Sequence, residues 1–86
     1  MLERHTLKID TIRVPVKRVK TLEPDRVEAL AEDMLENGQK VPIRCRVDPK
    51  GEPPGYILVE GYHRLEAARA LGEETIQAYL VQARQR

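Results

Sequence analysis

Apolar residues recur along the chain in two different periods. Ile12, Val14 and Val16 alternate with polar or basic neighbours, which is the two-residue period of a half-buried strand. Pro15 places that strand at a sheet edge or near its own end. Val27, Leu30, Ala31, Met34 and Leu35 instead fall on one stripe of a 3.6-residue period and predict a helix over 24–37. Pro24 suits its first turn, acids crowd its start, and Gly38 stands where a left-handed cap belongs. Val41, Ile43, Cys45 and Val47 alternate with Pro42, Arg44 and Arg46, so the next strand turns its apolar side to the core and two arginines to the other face. Residues 48–55, with three prolines and two glycines, form a loop into a strand over 56–59, completing a hairpin. An Ala- and Leu-rich segment over 62–71 reads as a second helix stopped by Gly72. Ile76, Ala78 and Leu80 mark a last strand over 75–81, and the polar tail 82–86 is expected to fray. The order β-α-β-β-α-β, without repeats or linkers, gives one small α+β domain over 1–86. Its core spans about 11–81, with two short helices on a mixed sheet.

Composition narrows this picture. At 86 residues the core is thin, because a chain of this size buries only about 60% of its unfolded surface. No apolar run approaches the roughly 18 residues of a membrane span, and the start Met1-Leu2-Glu3-Arg4-His5-Thr6 lacks a signal peptide's apolar core, so the expected location is cytoplasmic. The single Cys45 has no disulfide or zinc partner of its own kind and reads as a small core residue. With three tyrosines and no Phe or Trp, a stacking platform for single-stranded nucleic acid is poorly supplied.

Charge matters by position rather than by sum. Fifteen Lys and Arg against fourteen Asp and Glu leave +1. Yet residues 11–22 carry Arg13, Lys17, Arg18 and Lys20 with no acid, and 23–36 carry six acids against Arg26. Residues 38–50 return Lys40, Arg44, Arg46 and Lys50 against Asp48. Either each block is a solvated face, or the basic segments make one end of the fold positive. The stretch 13–20 is able to touch DNA phosphates, but only non-specifically and weakly in salt, because nothing near it reads bases.

The sharpest chemical signal is the start of the second helix. Glu60-Gly61-Tyr62-His63-Arg64 follows a strand and puts an imidazole and a guanidinium at a helix N-terminus, where each cation is disfavoured by roughly 0.3–1 kcal/mol. An anion held by both side chains and by the free N–H groups of the first turn resolves that conflict. Gly61 gives the tight turn, Arg64 grips phosphate oxygens bidentately and His63 donates from its ring. The alternative is a pair of solvated side chains, with Arg64 leaning on an exposed acid. Lys17, Arg18 and Lys20, before the first helix, and Arg44 and Arg46, on the strand, are candidate supports for the same anion.

Gly61-Tyr62-His63-Arg64-Leu65-Glu66-Ala67-Ala68-Arg69-Ala70-Leu71-Gly72 resembles the arginine-rich signature of the ParB N-terminal (ParB-like nuclease) domain. Val27-Glu28-Ala29-Leu30-Ala31-Glu32-Asp33, then Asn37-Gly38-Gln39 and Pro42-Ile43-Arg44, resemble that family's first helix and following strand. The likeness covers roughly 11–81. Leu22-Glu23-Pro24 and the segment Glu74-Thr75-Ile76-Gln77-Ala78-Tyr79-Leu80-Val81-Gln82 are also similar to sulfiredoxins, which share the fold. Sulfiredoxins use ATP through a Gly-Cys-His-Arg motif to repair sulfinylated peroxiredoxin, ParB proteins bind CTP through the equivalent loop, and free-serine kinases carry Asp-Gly-His-His-Arg. The resemblance therefore implies a nucleoside triphosphate or diphosphate, ATP or CTP, with its phosphates on Gly61, Tyr62, His63 and Arg64.

The chain departs from each branch. Tyr62 stands where sulfiredoxins have their thiol, and a phenol with pKa near 10 is no substitute nucleophile. ParB proteins commonly carry Glu-Arg-Arg after the glycine and Gln before Pro42; here the residues are Tyr62-His63-Arg64 and Val41. The helix-turn-helix and dimerisation regions of whole ParB proteins are not in this sequence. Three readings stay open. The first is a nucleotide-binding switch or adaptor for a protein partner, touching DNA only indirectly or non-specifically. The second is a small ATP- or ADP-dependent phosphotransferase, with Glu60 near Mg²⁺ and Glu23 as general base. The third is a ligand-free interaction domain. Glu23 also fits as a plain helix N-terminal acid, Glu60 as a surface strand residue, and Tyr62 either stacks on a base or ribose or caps the apolar face.

Overall fold

The structure, a computed structural model, describes residues 3–51 and 54–82. Five strands and three α-helices follow one another among them: β1 (Glu3–Lys8), β2 (Ile12–Arg13), α1 (Val16–Val19), α2 (Pro24–Asn37), β3 (Ile43–Asp48), β4 (Gly55–Glu60), α3 (Tyr62–Ala70) and β5 (Thr75–Leu80). They form one mixed sheet in the order β1-β5-β3-β4-β2. The outer pair β1/β5 and the hairpin β3/β4 are antiparallel, while β3/β5 and β2/β4 are parallel. The chain thus leaves β4, crosses beside β3 as α3, and returns as β5 on the far side of β3. Helix α3 packs on the sheet, and α2 packs on α3.

The expected β-α-β-β-α-β order is present as β2-α2-β3-β4-α3-β5, with two elements added. Strand β1 was absent from the expected set because its alternation rests on few apolar positions; Leu7 is buried there, and Ile9 is buried in the 3-10 turn that follows. The expected strand through Val14 and Val16 is a correction. It ends at Arg13, and Pro15 caps α1 with an extended backbone. Val16 is therefore 82% exposed, because the two-residue strand lies at the sheet edge and the chain turns away at the proline.

The core is built from Leu7, Ile9, Ile12, Ile43, Cys45, Leu58, Tyr62, Leu65, Ala68, Ile76 and Ala78. Burying a side chain such as Leu65 or Leu58 contributes about 1.5–3 kcal/mol. Within the expected apolar face of β3, only Ile43 and Cys45 are buried. Val41 precedes the strand and Val47 lies toward its loop end, opposite Tyr56, and both are half-exposed. The stripe on α2 is likewise incomplete, since Leu35 projects into solvent. Both helices end as their glycines require. Gly38 has φ +74°, and Gly72 with φ +77° closes α3 through Gly72 N–H to Arg69 C=O and Glu73 N–H to Ala68 C=O. Residues 83–86 of the expected frayed tail, and part of the 48–55 loop, lie outside the described residues.

Candidate functional site

The site begins where β4 hands over to α3. Gly61 joins them with φ +104°, and a Cβ there would stand 2.7 Å from Ile43 Cγ2. Both the backbone conformation and the packing on β3 therefore demand glycine. The first hydrogen bond at the start of α3 runs from Leu65 N–H to Gly61 C=O, so the amides of Tyr62, His63 and Arg64 are the orphan donors of the helix start. The three residues line a cavity of about 440 Å³. Its wall takes in Gly61, Tyr62, His63 and Arg64 together with Arg18, Arg26, Thr21 and Glu60, and an apolar side of Leu30, Val41 and Pro42. Three arginines thus face a single wall carboxylate.

Each cation is held differently. Arg18 donates from Nη2 to Val59 C=O at 2.6 Å, tying α1 to the end of β4. Arg26 lies 3.8 Å from the Glu23 carboxylate. Arg64 is half-buried, and its guanidinium has no hydrogen bond or ion pair among the described residues. Its charge reaches Asp33, whose carboxyl is held below the usual carboxylate range first by the Asn37 amide, then by Lys40, with Arg64 a smaller contributor. The guanidinium donors of Arg64 are therefore unused among the described residues.

The expected site residues fare unequally. Gly61, Tyr62, His63 and Arg64 all line the cavity, and so does Glu60, which is exposed and 3.9 Å from Arg44 Nε. Of the candidate supports, Arg18 lines it, whereas Lys17, Lys20, Arg44 and Arg46 do not; Arg44 and Arg46 leave from β3, Lys17 lies within α1 and Lys20 ends it. Arg26 joins Arg18 there, and its signal in the sequence was that of the one cation within the acidic run. Tyr62 is 8% exposed and joins the hydrophobic core, its ring tilted against that of His63 at 6.0 Å. Most of its side chain is thus committed to packing. His63 Nε2 accepts the Glu23 backbone N–H at 3.0 Å, so the ring proton assigned by that bond sits on Nδ1. The Glu23 carboxylate is 3.8 Å from the same nitrogen and lies outside the cavity wall. Cys45 is fully buried, and burial pushes its thiol up to about 11, so no thiolate is available at this face. No group of three or more His, Cys, Asp or Glu able to hold a metal ion occurs among the described residues.

The family model for the ParB N-terminal domain matches residues 2–86. The chain belongs to the ParB N-terminal domain family. Among solved structures, sulfiredoxin from Arabidopsis thaliana superimposes with a TM-score of 0.79 at 27% identity, over 94% of this chain and 86% of that one. The C-terminally truncated chromosome-partitioning protein ParB from Caulobacter crescentus, complexed with CTP-γ-S, gives 0.82 at 21% identity over 96% of this chain. A free serine kinase mutant in complex with AMP gives 0.75 at 18% identity over 93% of this chain. This ParB N-terminal domain spans 46% of the Caulobacter chain and 31% of the kinase chain. A comparison with curated proteins finds no match. As a member of this family it shares the α+β fold expected from its sequence, and no helix among its described residues is long and apolar enough to cross a membrane.

Proposed function

We propose that this ParB N-terminal domain binds the phosphates of a nucleoside triphosphate or diphosphate, ATP or CTP, and acts as a switch or adaptor for a separate protein partner. The observation that carries this reading is Arg64, a half-buried guanidinium without a hydrogen-bond partner among the described residues, beside three orphan amides at the start of α3. Arg18 and Arg26 supply further positive charge, and the left-handed Gly61 lets the backbone approach a phosphate. The apolar side of Leu30, Val41 and Pro42 offers a surface for a base or ribose. Ligands of relatives on the same fold support the class: CTP-γ-S with ParB, and AMP and ADP with the serine kinase. Mg²⁺ would arrive with the phosphates, because Glu60 is the one carboxylate in the wall and Mg²⁺ is commonly held by one or two carboxylates plus phosphate oxygens.

Calorimetric titration with ATP, ADP, CTP and GTP in Mg²⁺ tests the reading. Saturable binding of at least one is expected, and Arg64→Ala should abolish it by removing the bidentate contact. Unchanged affinity in that variant would move the site elsewhere, and absence of binding at millimolar nucleotide would reject it. Glu60 favours a second reading, phosphoryl transfer to a small hydroxyl substrate, because a carboxylate sits in the same wall as the cations. Formation of ADP with such a substrate, lost in Glu60→Gln, would distinguish transfer from switching. Contact with DNA in this reading is indirect or non-specific.

A further inference from the structure

Helix α2 has fourteen residues, and none of them is buried. Its apolar positions are only half covered by α3, and along one flank the two helices enclose an apolar groove of about 550 Å³. Leu22, Val27, Ala31 and Ala70 give the groove its apolar lining, with Glu28 and Glu66 among its charged members. The one cation in the lining, Arg69, is engaged by Glu66 at 3.4 Å. An adjoining hollow is lined by Asp25, Glu28 and Glu32. None of these three carboxylates has an ion-pair partner among the described residues. The groove shares no residue with the cavity at Arg64.

We propose that this groove docks a basic amphipathic helix of a partner protein. An apolar stripe at i, i+3, i+4 and i+7 would lie on Val27, Ala31 and Ala70, and flanking Lys or Arg would meet Asp25, Glu28 and Glu32. The same carboxylates oppose other occupants. A two-fold pairing of this face with a second copy would set the acidic patch of one copy against that of the other, and a polyanion would meet the same repulsion. The long, half-covered apolar face of α2 is accounted for by such a partner, since a helix gains most of its stability from burying that face.

The test uses the full chain labelled with ¹⁵N and titrated with a synthetic helical peptide. The peptide is about 15–20 residues of Leu and Lys, with Leu on one stripe, long enough to hold a helix. A peptide with the same Leu stripe and Glu in place of Lys is the control. Saturable shifts of the amides of Val27, Glu28, Ala31 and Ala70 are expected with the Lys peptide and not with the Glu peptide. Glu28→Lys combined with Glu32→Lys should weaken binding at least about tenfold, and raising salt should weaken it in the unmodified protein. Ala31→Gln, at a half-buried position, and Ala70→Gln, at an exposed one, should weaken it without altering charge, with circular dichroism checking that the helices persist. Shifts centred elsewhere, equal binding of the Glu peptide, or indifference to the Gln variants would overturn the proposal. So would self-association of the chain through this face, or no saturation at millimolar peptide.

Discussion

Gly61 carries two constraints at one residue. Its φ of +104° is disfavoured for any residue with a Cβ, and that Cβ would meet Ile43 Cγ2 at 2.7 Å. Gly72 shares the first constraint, with φ +77°, but has nothing within 4 Å. Gly61→Ala should therefore cost about 1–3 kcal/mol from backbone strain plus a packing term, and lower Tm more than Gly72→Ala does. Equal losses in thermal unfolding would show that the contact with Ile43 imposes nothing. Cys45 makes a prediction in pH. Burial raises its thiol to about 11, above the unfolded value, so the neutral thiol is the favoured native form. Its contribution to stability is full below about pH 8.5 and is lost as pH rises toward 11. The native protein should therefore lose more stability than Cys45→Ala between those limits in urea unfolding. Native Cys45 should also resist disulfide reagents at pH 8 until denaturant is added.

At the level of elements, the loop between α2 and β3 depends on Gln39. Its amide donates to Gln77 C=O at 2.9 Å and to Val41 C=O at 3.0 Å, and accepts Gln77 N–H at 2.8 Å. The side chain thus continues the ladder on β5 before β3 begins at Ile43, and it positions Val41 in the cavity wall. Gln39→Ala leaves those groups without their partner and should cost about 1–3 kcal/mol. Faster hydrogen exchange of the Gln77 amide in that variant would localise the loss, and unchanged exchange would contradict it. This contact was not legible in the sequence, since nothing about a loop Gln announces a strand surrogate thirty-eight residues away. Helices α2 and α3 and strands β3–β5 were legible because α2, β3 and β5 show clean periods and glycines stop both of these helices. β1 and α1 were not, since one offers few apolar positions and the other is a four-residue helix that tertiary contact through Arg18 holds in place.

For the whole molecule, the useful property of the charge distribution is where the fold puts it. Arg44 and Arg46, neighbours of the site along the sheet, do not line the cavity, whereas Arg18 and Arg26 reach it from α1 and α2. The junction at Gly61 was legible because helix starts seldom carry cations. Which other cations join it depended on how α1 and α2 pack, and no local pattern encodes that. The acidic surface of α2 then falls mostly on the flank away from the cavity, where it borders the apolar groove. One small chain thereby presents a cationic cavity and an acid-bordered groove as separate surfaces. A nucleotide at the first and a protein segment at the second would suit an adaptor.

The most direct measurement is a ¹⁵N–¹H titration of the full chain with ATP and CTP in Mg²⁺, following every amide. The largest saturable shifts should fall on Gly61, Tyr62, His63 and Arg64, the donors at the start of α3. Shifts centred on another surface, or none at millimolar nucleotide, would contradict the assignment of this junction as the phosphate site.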